Sequence, residues 1–488
     1  MSPADPRRND RRPEDPRRDD PRRAIPRTDA LLAAPEFTAA AAQWGTAAVK
    51  TAIRAAQESA RRGQLEPDSV GPSALAQLRA RERHATTLRP VLNATGVILH
   101  TNLGRAPLSP SAREALAVAS GYCDVEFDLA DGTRARRGRG TLQALTAHLP
   151  EGTGALVVNN GAAALALVVA ALAVAPGRPE VVVSRGEFVE IGDGFRIPEL
   201  LAATGAALRE VGTTNRTHLA DYLDGVGPQT GAVLKVHPSN FRITGFTREV
   251  DIAELAGPCR ERGLPLVVDI GGGLLTADPL LPDEPDATSV LRAGASLVTA
   301  SCDKLLGGPQ GGLVLGDPAL VARVRRHPLA RAMRVDKTTL AALEATLRLG
   351  AAPTHVALHT PSTELRTRAA RLADLLPATL AAQVVRSDGA VGGGCAPGVC
   401  LPGWAVAIPE RLAPPLRVGD PSDPRIPCVV GRLEGGHLLL DVRCLTDDDL
   451  TGVAAAVAVA AFATHAGAAG DPAAGDPGET TVGADGLG

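Results

Sequence analysis

Five short, unbroken aliphatic runs constrain this chain more than any other feature: 155–160 (ALVVNN), 180–184 (EVVVS), 231–236 (GAVLKV), 266–270 (LVVDI) and 297–301 (LVTAS). Each has the length of a strand, each ends in small or polar residues, and helical stretches lie between them. A strand with one wet face would alternate apolar and polar residues. Continuous Val/Leu/Ile runs alternating with helices instead indicate a mostly parallel α/β sheet covered on both faces. Such sheets hold ligands beyond the carboxyl ends of their strands. The polar residues gather at those ends: Asn159 and Asn160, Ser184 to Glu187, His237 to Asn240, Asp269, and Ser301 to Lys304.

The flanking sequence has another texture. Leu31, Leu32, Phe37, Trp44, Val49 and Ile53 recur at helical spacing, predicting a helical N-terminal domain over 29–73, broken by 63–73 (GQLEPDSVGPS). A linker over 74–100, carrying a further helix to about 88, leads to a large domain over 101–350. Beyond it a small α+β domain is expected over 351–469, with one helix over 362–384, strands over 428–433 and 437–442, and a closing helix over 447–464. Residues 1–28 hold nine Arg, six Asp or Glu and six Pro, and 470–488 are rich in Gly, Ala and Asp. Neither has much to bury, so both read as disordered tails.

Composition excludes several classes. The net charge of −3 leaves no basic field over the whole molecule. Residues 1–88 carry 16 basic against 12 acidic groups, which permits nucleic-acid contact there without demanding it. The apolar run Ala162 to Ala175 is shorter than the roughly 20 residues a membrane helix needs, and reads as a buried helix. The start is Arg, Asp and Pro rich, unlike a signal peptide. Seven scattered cysteines without a CxxC pair read as free thiols of a reducing cytoplasm, with no metal site.

Only four lysines occur, Lys50, Lys235, Lys304 and Lys337, so lysine-dependent chemistry has four candidates. Lys304 follows an apolar strand and precedes Leu305-Leu306-Gly307-Gly308-Pro309-Gln310-Gly311-Gly312. A lysine at a strand end beside a flexible glycine loop can reach a cofactor and attack an aldehyde. Asp269 ends LVVDI 35 positions earlier. Alone it reads as a turn aspartate before Gly271-Gly272-Gly273. With Lys304 it reads as the carboxylate that pairs with a protonated pyridine nitrogen, because a buried carboxylate needs a cation. Asn160-Gly161-Ala162-Ala163 joins a strand to an apolar helix whose first N–H groups can bind phosphate, and Ser301 offers a hydroxyl to the same phosphate. Asn240, after the strand GAVLKV, is placed to donate to the ring phenolate oxygen, while His237 reads as structural. The cofactor these groups describe is pyridoxal 5'-phosphate. Their order resembles the aspartate-aminotransferase-like (fold type I) class of enzymes that use it.

Longer stretches narrow the resemblance: RPVLNATGVILHTNLGRAPL (89–108), VVSRGEFVEIGDGFRIP (182–198), EVGTTNRT (210–217), DKLLGGPQGGLVL (303–315), HPLARAMRVDKTTLAALEATL (327–347) and VGRLEGGHLLLDVRCL (430–445). Together, from about residue 30 to 465, they resemble the bacterial selenocysteine synthases, or L-seryl-tRNA(Sec) selenium transferases. That resemblance implies conversion of seryl-tRNA(Sec) to selenocysteinyl-tRNA(Sec) with selenophosphate, through an aminoacrylyl intermediate. It implies Lys304 as the Schiff-base lysine beside Asp303, and Arg105, Arg331 and Arg334 as groups for the anionic selenium donor. For Arg331 and Arg334, surface or interface ion pairing stays open. It also implies a cytoplasmic homodecamer, with active sites at dimer interfaces and tRNA gripped by the N-terminal helices. The rival readings are a pyridoxal phosphate lyase for a free amino acid or amino sugar phosphate, and a non-catalytic tRNA-binding scaffold.

Overall fold

The computed structural model describes residues 24–83, 86–192, 194–350, 352–420, 423 and 426–468. Most of both expected tails, 1–23 and 469–488, lies outside them. The chain divides into two compact units: residues 1–90 with 421–425, and 91–420 with 426–488.

The first unit is helical: α1 (Thr28–Ala33), α2 (Pro35–Trp44), α3 (Thr46–Arg61) and α4 (Val70–Arg83). Val49, Ala52, Ile53, Ala56 and Ala60 form one buried stripe of α3 and pack on Phe37, Val70, Ala74 and Leu78. The spacing of Val70, Ala74 and Leu78 carries α4 into the expected linker, and Pro72 is tolerated in its first turn. The linker reading over 74–100 is therefore corrected. The segment holds the rest of α4 and, in the second unit, β1 (Val91–Ala94) and β2 (Val97–Leu99).

In the second unit, α5 (Pro110–Ser120) and α6 (Arg139–Thr146) pack against the helix Lys337–Leu349. Then follow β3 (Gly154–Val158), α7 (Gly161–Val169), β4 (Glu180–Ser184), a hairpin of β5 (Glu190–Ile191) and β6 (Phe195–Arg196), β7 (Ala207–Val211), β8 (Thr230–Val236), β9 (Leu266–Gly271), β10 (Leu297–Ser301) and β11 (Gly312–Gly316). The seven-stranded sheet runs β3-β11-β10-β9-β8-β4-β7. All its neighbouring pairs are parallel except the two made by β11. Alternate residues feed two separate cores. Val182, Val233, Leu266, Val268 and Val298 lie in one; Val181, Val183, Leu234, Val267 and Leu297 lie in the other. Burial on both faces is why the strands read as unbroken apolar runs.

The remaining strands are β12 (Gln383–Arg386), β13 (Gly389–Gly392), β14 (Cys395–Leu401), β15 (Trp404–Pro409), β16 (Cys428–Glu434) and β17 (His437–Asp441). They form a five-stranded sheet, β1-β16-β17-β15-β12, and a three-stranded one, β14-β13-β2. The single helix expected over 362–384 is corrected to Ser362–Leu375. Pro377 holds Leu376 extended (φ −81°, ψ 151°), and Gln383 onward pairs in β12. The closing helix is Asp449–Ala468. This is the expected mostly parallel α/β sheet with a small α+β portion. Among the described residues no helix is long and apolar enough to cross a membrane.

Candidate active site

At the carboxyl ends of β3, β8, β9 and β10 lies a cavity of about 370 Å³. Lys304, Asp269, Ser301, Gly161, Ala162 and Arg105 all line it. Lys304 is 5% exposed and sits on a turn fixed by its own backbone. Cys302 N–H donates to Gly311 O, Leu305 N–H to Gly272 O, and Gly307 N–H to Lys304 O, each at 2.9 Å. The turn closes only with glycine at 273, where φ is +87° and a Cβ would lie 2.1 Å from Ser301 O. The other lysines are elsewhere. Lys235 is paired with Glu187 at 2.6 Å, Lys337 donates to Gly121 O, and Lys50 belongs to the helical unit.

Asp269 accepts a hydrogen bond from Thr299, which lies opposite it on β10, at 2.7 Å. Burial pushes its carboxyl pKa up; the Thr299 hydroxyl, Lys304 and His237 oppose that without cancelling it. Among the described residues it has no ion-pair partner, and neither has Lys304. Asp269 and Lys304 thus line one cavity without a direct ion pair between them.

The turn after β3 is built for an anion. Asn160 caps α7, its Oδ1 accepting from Ala163 N at 2.8 Å. The Gly161 and Ala162 N–H groups are left without intrahelical acceptors. A Cβ on Gly161 would stand 2.5 Å from Ser301 Oγ, so glycine is what lets that hydroxyl reach the turn. The Ala163 reading is corrected on this point: its N–H is consumed by the cap. Asn240 is corrected as well. Its Nδ2 donates to Glu190 O at 2.7 Å in an exposed position outside the cavity lining.

His237, read as structural, lines the cavity instead. Its buried Nε2 has no hydrogen-bond partner and lies 3.6 Å from Glu284 Oε1. Glu187 steadies the end of β8 from behind, accepting from Lys235, Tyr222 and the Val236 N–H. Asp303, 8% exposed, is bound by Arg105 at 2.8 Å. Arg105 adopts φ +61°, a left-handed conformation costing about 1 kcal/mol or more in a non-glycine residue. Arg331 and Arg334 lie elsewhere, in a cavity of about 590 Å³ that shares no lining residue with the first. Arg334 is 3.6 Å from Glu126 there, and Arg136 and Arg325 lie alongside. Burial first, and then the neighbouring Arg325, lower the Arg136 pKa; seven arginines line this cavity against one acid, Glu126.

Residues 91–446 match the family model for L-seryl-tRNA selenium transferase, and 22–61 match that for the selenocysteine synthase N terminus. The L-seryl-tRNA(Sec) selenium transferase of Solidesulfovibrio magneticus is 46% identical over 440 residues, covering 85% of this chain and 92% of that one. That of Moorella thermoacetica is 46% identical over 391 residues, covering 75% and 80%. Among solved structures, a D-glucosaminate-6-phosphate ammonia-lyase shares the fold at 19% identity and TM-score 0.53, over 79% of this chain and 99% of that one. The chain belongs to the L-seryl-tRNA selenium transferase family.

Proposed function

We propose that this enzyme converts L-seryl-tRNA(Sec) to L-selenocysteinyl-tRNA(Sec), with pyridoxal 5'-phosphate held by Lys304 and selenophosphate as selenium donor. The observation that carries the reading is the enclosed Lys304, which lines one cavity with Asp269 and the N-terminus of α7. The three fit the cofactor's aldehyde, ring nitrogen and phosphate in turn. When bound, the cofactor supplies an electron sink for carbanion chemistry. The Asp269 carboxylate keeps the ring nitrogen protonated, and that pairing removes the cost of its burial. Gly161 and Ala162 N–H groups with Ser301 Oγ hold the phosphate. Lys304 Nζ would hold the cofactor's aldehyde carbon and, when free of it, would be the base placed to take the seryl α-proton. Arg105 orients Asp303 beside it. The net exchange is the seryl hydroxyl oxygen for selenium, with phosphate leaving the donor.

Arg331 and Arg334 suit an oxyanion donor through their guanidinium forks. Since their cavity is separate from that of Lys304 in one chain, they act on the Lys304 cavity of a second copy, within a decamer. The helical unit is the tRNA-gripping part. Its charge is nearly balanced, seven basic against six acidic groups over 29–88, so recognition rests on shape more than on charge.

The test is turnover with seryl-tRNA(Sec) and selenophosphate, run beside ordinary seryl-tRNA(Ser), with the amino acid then stripped and identified. Selenocysteine from the first tRNA alone is expected. Unchanged serine on both, from protein with a bound-cofactor spectrum, would move the assignment to a lyase of free amino acids or amino sugar phosphates.

A further inference from the structure

Away from the cavity, the loop after β9 carries Asp278, and the helix Pro353–His359 carries His355 and His359 one turn apart. One ligating atom from each of the three lies within 4.8 Å of the others. His359 Nδ1 is 3.0 Å from the carbonyl oxygen of His355. A carbonyl only accepts, so Nδ1 carries the ring proton. In the neutral ring Nε2 then presents a lone pair. That lone pair faces Asp278, 3.2 Å from Oδ2 and 3.3 Å from Oδ1. A lone pair held against a carboxylate is repulsive unless a cation lies between them.

The cation is either a second proton or a metal ion, and the surroundings favour the metal. The His355 ring packs against that of His359, tilted by 34° with 4.0 Å between centroids, bringing a third donor where a simple ion pair needs none. Being exposed, it is free to turn into position. Asp278 Oδ1 already accepts from Leu280 N–H at 2.9 Å, which orients the carboxylate and leaves Oδ2 for the ion. The Asp278 side chain is only 9% exposed. His359 receives the matching support, since a ligating histidine usually donates its other N–H to a carbonyl or carboxylate. The Nε2 to Oδ2 distance also suits two ligands of one tetrahedral ion, with bonds of about 2.0–2.2 Å.

We propose that Asp278, His355 and His359 bind a divalent transition-metal ion of the zinc type, with water completing its coordination. Two imidazoles and one carboxylate select such an ion over magnesium or calcium, which take oxygen ligands. The ion clips the loop that leaves Asp269 to the helix that follows the large sheet. It rests on no assumption about the reaction catalysed.

The test uses untagged full-length protein carrying its own cofactor, stripped with chelator and titrated with Co²⁺ as a spectroscopic probe, then with Zn²⁺. The expected result is one Co²⁺ per chain with nitrogen–oxygen d–d bands, displaced by Zn²⁺. His359→Ala should weaken binding by more than the roughly 10–100-fold that loss of an outer partner costs. His355→Gln, an exposed and structurally mild change, should weaken it too. Three results overturn the proposal: no binding at 100 µM Co²⁺, thiolate charge-transfer bands placing the ion on cysteines, or unaltered affinity in both variants. The first would leave His359 and Asp278 as a proton-bridged ion pair.

Discussion

At the residue scale, Lys304→Ala is expected to abolish the visible absorbance band of a lysine-bound cofactor in folded protein. A retained band would give that role to another lysine. Asp269→Asn should keep the band and lose about 100-fold or more in kcat, the scale seen when one preorganised electrostatic group is removed. Full activity would refute its pairing with the ring nitrogen. That Lys304, Asp269, Ser301 and Gly161 gather around one cavity was legible in the sequence, because strand ends fix where such groups fall and lysine is scarce here. His237 was not. Its environment depends on Glu284, 47 residues further on, which no local pattern brings near it. Ala163 and Asn240, also expected beside the cofactor, do not line the cavity, for the converse reason. Each lies close to the cavity in sequence, but its polar group is satisfied locally, by the Asn160 cap and the Glu190 carbonyl.

At the scale of elements, the helix Lys337–Leu349 depends on its cap. Asp336 accepts from Thr339 N at 2.9 Å and from the Thr338 and Thr339 hydroxyls. Partial burial pushes its pKa up, but these hydrogen bonds outweigh that and hold it at about 2, below the usual 3.8. A depressed carboxyl pKa stabilises the fold above the unfolded value and stops doing so as pH falls through the folded one. Asp336→Ala should therefore cost about 1 kcal/mol at neutral pH. That gap should close as pH drops from about 4 towards 2, as read from urea midpoints. A constant gap would mean the carboxylate charge is irrelevant to the cap. The five buried strands were legible because burial on both faces leaves one unmistakable pattern. Neither β7 nor β11 was among them. β7 is an edge strand whose ALREV is largely exposed, and β11 is bounded by Gly312 and Gly316, which read as loop. The helix over 362–384 was overextended because Pro377 was passed over within an otherwise helical pattern.

At the scale of the whole molecule, the separate positions of Lys304 and Arg334 make a complementation experiment decisive. Lys304→Ala and Arg334→Ala, each inactive alone, should regain activity when co-assembled. About a quarter of all sites would be intact if two copies mix at random in a two-fold pair. No recovery would confine each site to one chain. The pairing of strands also sets a schedule for synthesis. β1 (residues 91–94) pairs with β16 (428–434), and β3, which leads into the turn at Asn160, has β11, more than 150 residues later, as its only sheet neighbour among the described residues. At about 5–20 residues per second, a ribosome needs roughly 20–60 s between β1 and its partner. During that interval the nascent chain presents unpaired strand edges, and the cofactor has no finished pocket to enter before β11 has emerged. Loading is thus a late event in the life of each chain, and a cell making this protein in quantity would rely on chaperones to shield it until then.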